Sequence, residues 1–198
     1  MSRVLAALAG VAVLALAGCA TPGAPVAASG AAGPPNFWAG RFAATVTEAD
    51  DDARQDRSSG HFALRIDGAR TELELSSPLG QAIAQLQIDG ERATLVAADG
   101  KTWEASSAET LTEQVFGWRV PLADLPAWLG GRIAEPTEHD GARVIAGREH
   151  GWSVRIEAGE AGQPRRLALD WPAETRAGER RLSLRLVIDS TAHILSRP

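Results

Sequence analysis

The chain has 198 residues, of which 44% are hydrophobic and 23% charged, with 20 Lys and Arg against 25 Asp and Glu, a net charge of −5. No basic block occurs, which speaks against nucleic acid and against polybasic lipid binding. One cysteine excludes an internal disulfide and a thiolate cluster.

The first segment is Arg3 followed by an apolar run of 14 residues from Val4 to Ala17. A spanning helix needs roughly 20 residues. The run is too short for that and ends in small residues, the pattern of a secretory signal peptide over residues 1–18. Leu16-Ala17-Gly18-Cys19 resembles the lipobox of bacterial lipoproteins. The resemblance implies cleavage by signal peptidase II before Cys19, with S-diacylglycerol on its sulfur and an N-palmitoyl group on its new amine. Three chains hold a protein to a bilayer, since burial is worth roughly 0.8 kcal/mol per CH2. In enteric bacteria Asp after that cysteine resembles an inner-membrane retention signal. Ala20 stands there instead, which points to the outer membrane. Loss of Arg3 with the signal takes the net charge from −5 to −6.

Residues 19–36 open with Cys19 and continue from Ala20 to Asn36 in a stretch dominated by Ala, Gly, Pro and Ser, with no charge. Such a segment buries too little apolar area to offset its ordering entropy and reads as a flexible tether. Residues 37–198 remain, one domain's worth.

Most of this domain alternates with period two. In HFALRID, Phe62, Leu64 and Ile66 share one face. TELELSS offers Leu73 and Leu75. QAIAQLQID ends in Asp89-Gly90, and ERATLVAADGKTWEA turns at Asp99-Gly100. Both are hairpin signals. GWSVRIEAGE, RRLALDW and RLSLRLVID continue the pattern. An antiparallel sheet with one wet face is predicted. Between these runs, Ser106-Ser107-Ala108-Glu109 has capping-box spacing. Leu111, Val115 and Trp118 then recur at helical spacing, and Gly117 ends that helix. LADLPAWLGG predicts a second short helix, capped by Asp124, with Pro126 in its first turn and Gly130-Gly131 as its stop. Strands, two mid-chain helices, then more strands predict a strongly curved sheet closed on one side by helices.

No catalytic constellation emerges. Glu138-His139-Asp140 follows Pro136 and reads as a polar loop. Asp50, Asp51 and Asp52 lack the spacing of a calcium loop. Ser58-Ser59 and Ser76-Ser77 read as loop ends without a general base. No Gly-rich phosphate loop precedes a helix, and no metal site, cofactor or enzyme activity is predicted. There are six Trp and no Tyr. Trp103, Trp128 and Trp152 fall at inward positions. Periodicity does not distinguish a filled interior from a cavity.

The stretch from Thr71 to Gly131 and HGWSVRIEAGEAGQPRRLALDW resemble the LolB family of outer-membrane lipoprotein receptors. The likeness runs from about Phe37 to Asp189. Its most specific pieces are Ser77-Pro78-Leu79-Gly80 and Pro121 to Gly131. The region before the first strand is shorter than in enteric members, and the loop Asp50 to Ser59 is more acidic. The resemblance implies a mainly β fold: a half-open antiparallel barrel of about eleven strands, with short helices over an apolar cavity. It implies a monomer anchored on the periplasmic face of the outer membrane. There it takes triacylated lipoproteins from the periplasmic carrier LolA and inserts them into the membrane. The candidate cavity wall is Phe42, Leu64, Leu73, Leu75, Leu86, Trp103, Val115, Phe116, Trp128, Trp152, Val154, Leu167, Leu169, Leu184 and Leu186. The candidate membrane-insertion loop is Pro78, Leu79 and Gly80, with turn formers flanking the leucine. Two other readings stay open: a lipid-anchored module with a solid core that binds protein, and a secreted hydrolase working through His139 or His150.

Overall fold

The computed structural model describes residues 34–48, 54–172 and 180–194. The signal segment 1–18, Cys19, the tether as far as residue 33 and the acidic run Asp50 to Asp52 lie outside the described residues. In chain order the elements are β1 (Phe37–Thr47), β2 (Gln55–Asp67), β3 (Arg70–Ser76), β4 (Ala82–Asp89), β5 (Arg92–Ala97) and β6 (Thr102–Ala105). Then come α1 (Ala108–Phe116), α2 (Leu125–Leu129), β7 (Glu135–Asp140), β8 (Arg143–Glu149), β9 (Trp152–Ala158), β10 (Pro164–Trp171) and β11 (Arg181–Ala192).

All eleven strands form one antiparallel sheet in the order β6-β5-β4-β3-β2-β1-β11-β10-β9-β8-β7. Chain neighbours pair as hairpins, and the first and last strands meet in the middle, where Phe37 faces Ala192 and Thr47 faces Arg181. The sheet curls but does not close. Its free edges are β6 and β7, and the chain between them carries both helices. This is the expected half-open barrel.

Each edge is protected. β6 has only four residues. β7 is exposed along its whole length and contains Pro136, whose missing N–H costs nothing at an edge. Here the structure corrects the sequence: Glu138-His139-Asp140 lies in a strand, not a loop. A strand without a buried face leaves no alternation to read. Ser58 and Ser59 likewise sit inside β2, paired with Ala44 and Ala43 of β1.

The helices follow local chemistry with two corrections. Ser107, not Ser106, caps α1: its Oγ accepts the Thr110 N–H at 3.1 Å. Gly117 ends α1 in the left-handed region at φ 77°, donating its N–H to the Glu113 carbonyl. Asp124 occupies the N-cap position of α2 but makes no capping bond; its carboxylate turns to His150 instead.

The inward residues form one core. Leu64, Leu73, Leu86, Val154, Ile156, Leu167, Leu169, Leu182 and Ile188 pave the concave face, and Leu111, Leu122, Leu125, Trp128 and Leu129 cover it from the helices. At one end, Trp118 packs edge-on against Trp171 at 5.5 Å between ring centroids. Arg180 lies 4.5 Å over the Trp118 ring and pairs with Glu48 at 3.2 Å.

The chain enters the domain beside the β2–β3 hairpin. Asn36 is fastened there. Its side chain donates to the Ile194 carbonyl at 2.9 Å and accepts the Ile194 N–H at 2.6 Å, and its carbonyl accepts the Ile66 N–H at 2.8 Å.

Gly60 shows how tightly β2 and β3 meet at the opposite end. A Cβ there would stand 1.9 Å from the Ser76 carbonyl oxygen, beside the bulge at Leu75/Ser76. Gly60→Ala is expected to destabilise the domain by about 2–4 kcal/mol, because backbone rather than a side-chain tip must move. A urea titration followed by tryptophan fluorescence checks this. An unchanged midpoint would show that the strands part freely.

Candidate functional site

The β3–β4 connection is a short, hydrogen-bonded projection. Ser77 N–H donates to the Gln81 carbonyl at 2.8 Å, and Gly80 N–H donates to the Ser77 carbonyl at 2.9 Å. The Ser77 hydroxyl accepts the Gln81 N–H at 3.2 Å. Pro78 therefore sits at the first central position of a β-turn, where its fixed φ fits, and Leu79 at the second. Gly80 adopts φ 80°, with open space around any added Cβ. Leu79 is 87% exposed. Its side chain does not fold back onto the sheet, although burial of a leucine is worth about 1.5–3 kcal/mol. The turn holds it out.

Among the predicted wall residues, Leu64, Leu73, Leu86, Trp128, Trp152, Val154, Leu167, Leu169 and Leu186 are buried. Phe42, Leu75, Trp103, Val115 and Leu184 are half-buried and pack against them. Phe116 is a correction: it is 47% exposed. Ala108, Leu111, Thr112 and Val115 form the stripe of α1 that faces the sheet, and Phe116 falls at its margin on the last turn. Among the described residues no buried side-chain nitrogen or oxygen lacks a partner. The interior therefore offers apolar contact and no unpaired polar group.

The two helices are held differently. α2 is fixed by polar bonds to the β8–β9 turn. Trp128, 1% exposed, donates its Nε1–H to Glu149 Oε2 at 2.8 Å, and the same oxygen accepts the Ala134 N–H at 3.0 Å. Asp124 Oδ2 lies 2.7 Å from His150 Nδ1. Trp152 Nε1–H donates to the Arg119 carbonyl at 3.3 Å, fixing the segment between the helices. α1 rests on β5 and β6 through Ala108, Leu111 and Val115, and its polar bonds run to the segment after it: Thr112 Oγ1 accepts the Val120 N–H at 3.1 Å, and Glu113 pairs with Arg119 at 2.8 Å.

Asp124, Glu149 and His150 thus converge, with ligand-capable atoms within 4.8 Å. No spacing in the sequence announces this group, because a helix start and a strand turn supply it. Asp124 and His150 bind each other, and Glu149 is engaged by Trp128 and Ala134. Their observed task is to fasten α2. His139, the other histidine weighed for hydrolysis, is exposed on edge strand β7.

The titrating groups with displaced pKa values belong to surface pairs. Hydrogen bonding to Arg155, then its charge, holds the Glu138 carboxyl below the usual carboxylate range. The Lys101 ammonium does the same for Asp99. Arg41–Asp189 and Arg70–Asp89 are similar exposed pairs. Such pairs sit on the outside of the sheet and are screened by salt.

A crevice of about 580 Å³ lies at the foot of the Leu79 turn, lined by His61, Glu74, Gln85 and Val96 together with Gly80 and Ala82. Sequence reasoning misses it, because its lining comes from β2, β3, β4 and β5.

Fold and site together define a lidded, half-open β-barrel with an apolar interior and a projecting apolar tip. A family profile described as "Outer membrane lipoprotein LolB" matches residues 38–190. A protein named "Outer-membrane lipoprotein LolB" from Bordetella petrii is 35% identical over 179 residues, covering 87% of this chain and 86% of that protein. One of the same name from Ralstonia nicotianae is 34% identical over 206 residues, covering 95% and 97%. The chain belongs to the LolB family of outer membrane lipoproteins.

Proposed function

We propose that this protein serves lipoprotein localisation as an acceptor anchored through Cys19 on the periplasmic face of the outer membrane. It takes the acyl chains of triacylated lipoproteins from a carrier of the LolA type and inserts them into the bilayer. The observation that carries this reading is Leu79, a leucine held in solvent by a hydrogen-bonded turn on a barrel with an apolar interior. Family membership and the names of the relatives support it.

The physical requirement is a gradient. Each exposed CH2 costs roughly 0.8 kcal/mol, so acyl chains do not leave one apolar site before another is in reach. The interior supplies contact through Leu64, Leu73, Trp152, Val154 and Leu169. In the closed form these side chains are buried, so entry requires the lid to yield. α1 is the element that yields, because its contacts with β5 and β6 are apolar and acyl chains can replace them, while Thr112 and Glu113 bond to the segment that follows it rather than to the sheet. α2 stays, fixed by Trp128, Glu149, Asp124 and His150. Leu79 then gives the chains a route into the bilayer.

The same closed interior favours a second reading, a solid-core module that binds protein. One experiment separates them. The full chain is reconstituted through its own anchor into liposomes, and a carrier loaded with a fluorescent triacylated lipoprotein is added. The expected result is transfer to the vesicles well above the rate without the chain, together with displacement of a bound anthracene-fatty-acid probe by palmitate. Transfer at the background rate with no probe bound sinks the acceptor reading and leaves the module.

A further inference from the structure

Outward positions on most of the sheet are charged: Arg41 on β1, Arg155 on β9, Arg166 on β10 and Arg185 on β11 all form exposed ion pairs. The outer face of β4–β5 differs. No charged residue occurs from Leu75 to Ile88, nor from Ala93 to Ala98. Two large apolar side chains are exposed there, Ile83 at 37% and Val96 at 40%. Ala98 N–H donates to the Ile83 carbonyl, and Gln85 is opposite Val96, so Ile83 and Val96 are diagonal neighbours on one face. Ile83 leads directly back from the Leu79 turn. The adjoining Asp99 and Lys101 neutralise each other at 2.7 Å. Glu74 and His61 bound the patch on the β3 side, and Glu72 and Glu104, opposite Gln87 and Thr94, end it at the half of the strands far from the turn.

We infer that this neutral outer face of β4–β5 rests in the headgroup layer of a bilayer when Leu79 enters it, with Ile83 and Val96 setting the tilt of the domain. The inference rests on the membrane-entering role proposed for Leu79. A charge carried into the interface loses hydration, whereas Gln85 beside Ile83 and Val96 keeps hydrogen bonds with headgroups and water. Two apolar side chains are far too few for a stable protein complex, which buries about 800 Å² per partner. For a domain tethered at Cys19 the bilayer is always at high effective concentration, so a small footprint suffices.

The test uses the full chain in phosphatidylethanolamine–phosphatidylglycerol vesicles. Acylated Cys19 does not react, so Leu79→Cys, Ile83→Cys, Val96→Cys and the control Arg166→Cys each carry one nitrobenzoxadiazole fluorophore. Lipids bearing a nitroxide on the headgroup or mid-chain act as quenchers. Mid-chain nitroxide is expected to quench position 79. Headgroup nitroxide is expected to quench positions 83 and 96 about twofold or more above position 166. The double variant Ile83→Thr, Val96→Thr, which keeps β-branched side chains, is expected to weaken quenching at position 79. Quenching at 79 alone, with 83 and 96 matching 166, overturns the footprint and leaves the loop reading intact. No quenching at any position overturns both. Shielding of 83 and 96 only after a carrier protein is added makes the patch a protein surface and overturns the inference.

Discussion

Leu79→Glu is expected to keep the fold and the uptake of acyl chains while slowing delivery into liposomes by about tenfold to a hundredfold. The estimate comes from the side chain itself. A leucine gains about 1.5–3 kcal/mol on leaving water, and a carboxylate in its place adds a desolvation cost. The fold is spared because Leu79 is 87% exposed and contributes no side chain to the core. The turn is also spared, since its bonds run between the backbone and the Ser77 hydroxyl. Leu79→Ala should fall between the two. The measurement is cosedimentation of fluorescent lipoprotein with vesicles over time, beside probe binding and a thermal melt of each variant. Delivery at the parental rate by Leu79→Glu would refute the role of the tip. A lowered melt would instead mark a folding effect.

Trp128→Ala should cost about 3–5 kcal/mol of stability, the usual range for emptying a buried aromatic site. In a domain of this size that is a fall in Tm of roughly 10 °C. Trp128 is 1% exposed and donates the indole hydrogen bond that ties α2 to Glu149. Removing it opens a void under α2 and takes one donor from Glu149, which keeps only the Ala134 N–H. Trp128→Phe isolates the polar part: the ring remains, the donor goes, and a loss of about 1–2 kcal/mol is expected. Calorimetry of the three proteins checks the order. Equal Tm values for Trp128→Phe and the parent would mean that the Glu149 bond does not hold α2.

The strands with one clean apolar face are legible in the sequence. The second half of β2, and β3, β4, β9, β10 and β11, announce themselves by alternation, and both hairpin turns by Asp-Gly. β1 hides because its outward positions include Ala39 and Ala43, so the contrast with Trp38, Gly40 and Phe42 is weak. β7 hides because no residue on it is buried. β8 mixes small inward residues with a glycine whose added Cβ would stand 2.5 Å from the Glu135 carbonyl oxygen. Turn chemistry foretells the Leu79 tip, since Pro and Gly flank it. Its exposure is set by the three-dimensional turn, because a leucine between the same flanking residues can also fold back. The fastening of α2 was out of reach: Asp124 and His150 are 26 residues apart, and their meeting depends on how the sheet curls. Phe116 marks the limit of helical periodicity at a terminus, where the last residue points past the surface its helix covers.

The place where the chain joins the barrel has a mechanical consequence. Asn36 is pinned at the β2–β3 hairpin end, while the Leu79 turn leaves from the other. The row of Phe37, Arg65 and Glu72 lies four residues from the row of Arg41, His61 and Ser76, roughly 13 Å along the strands, and the turn reaches further. If the anchor is Cys19 and the tip enters lipid, as proposed above, the connecting chain has to pass the whole side of the barrel, about 25 Å in all. Fourteen residues, the number between Cys19 and Pro34, span at most on the order of 40 Å, and on the proposed reading a spacer of fewer than roughly eight would keep the leucine from reaching the bilayer. Under the proposed anchoring, the spacer is thus a ruler as well as a tie, and its length, more than its composition, is expected to decide which end of the barrel meets the lipid.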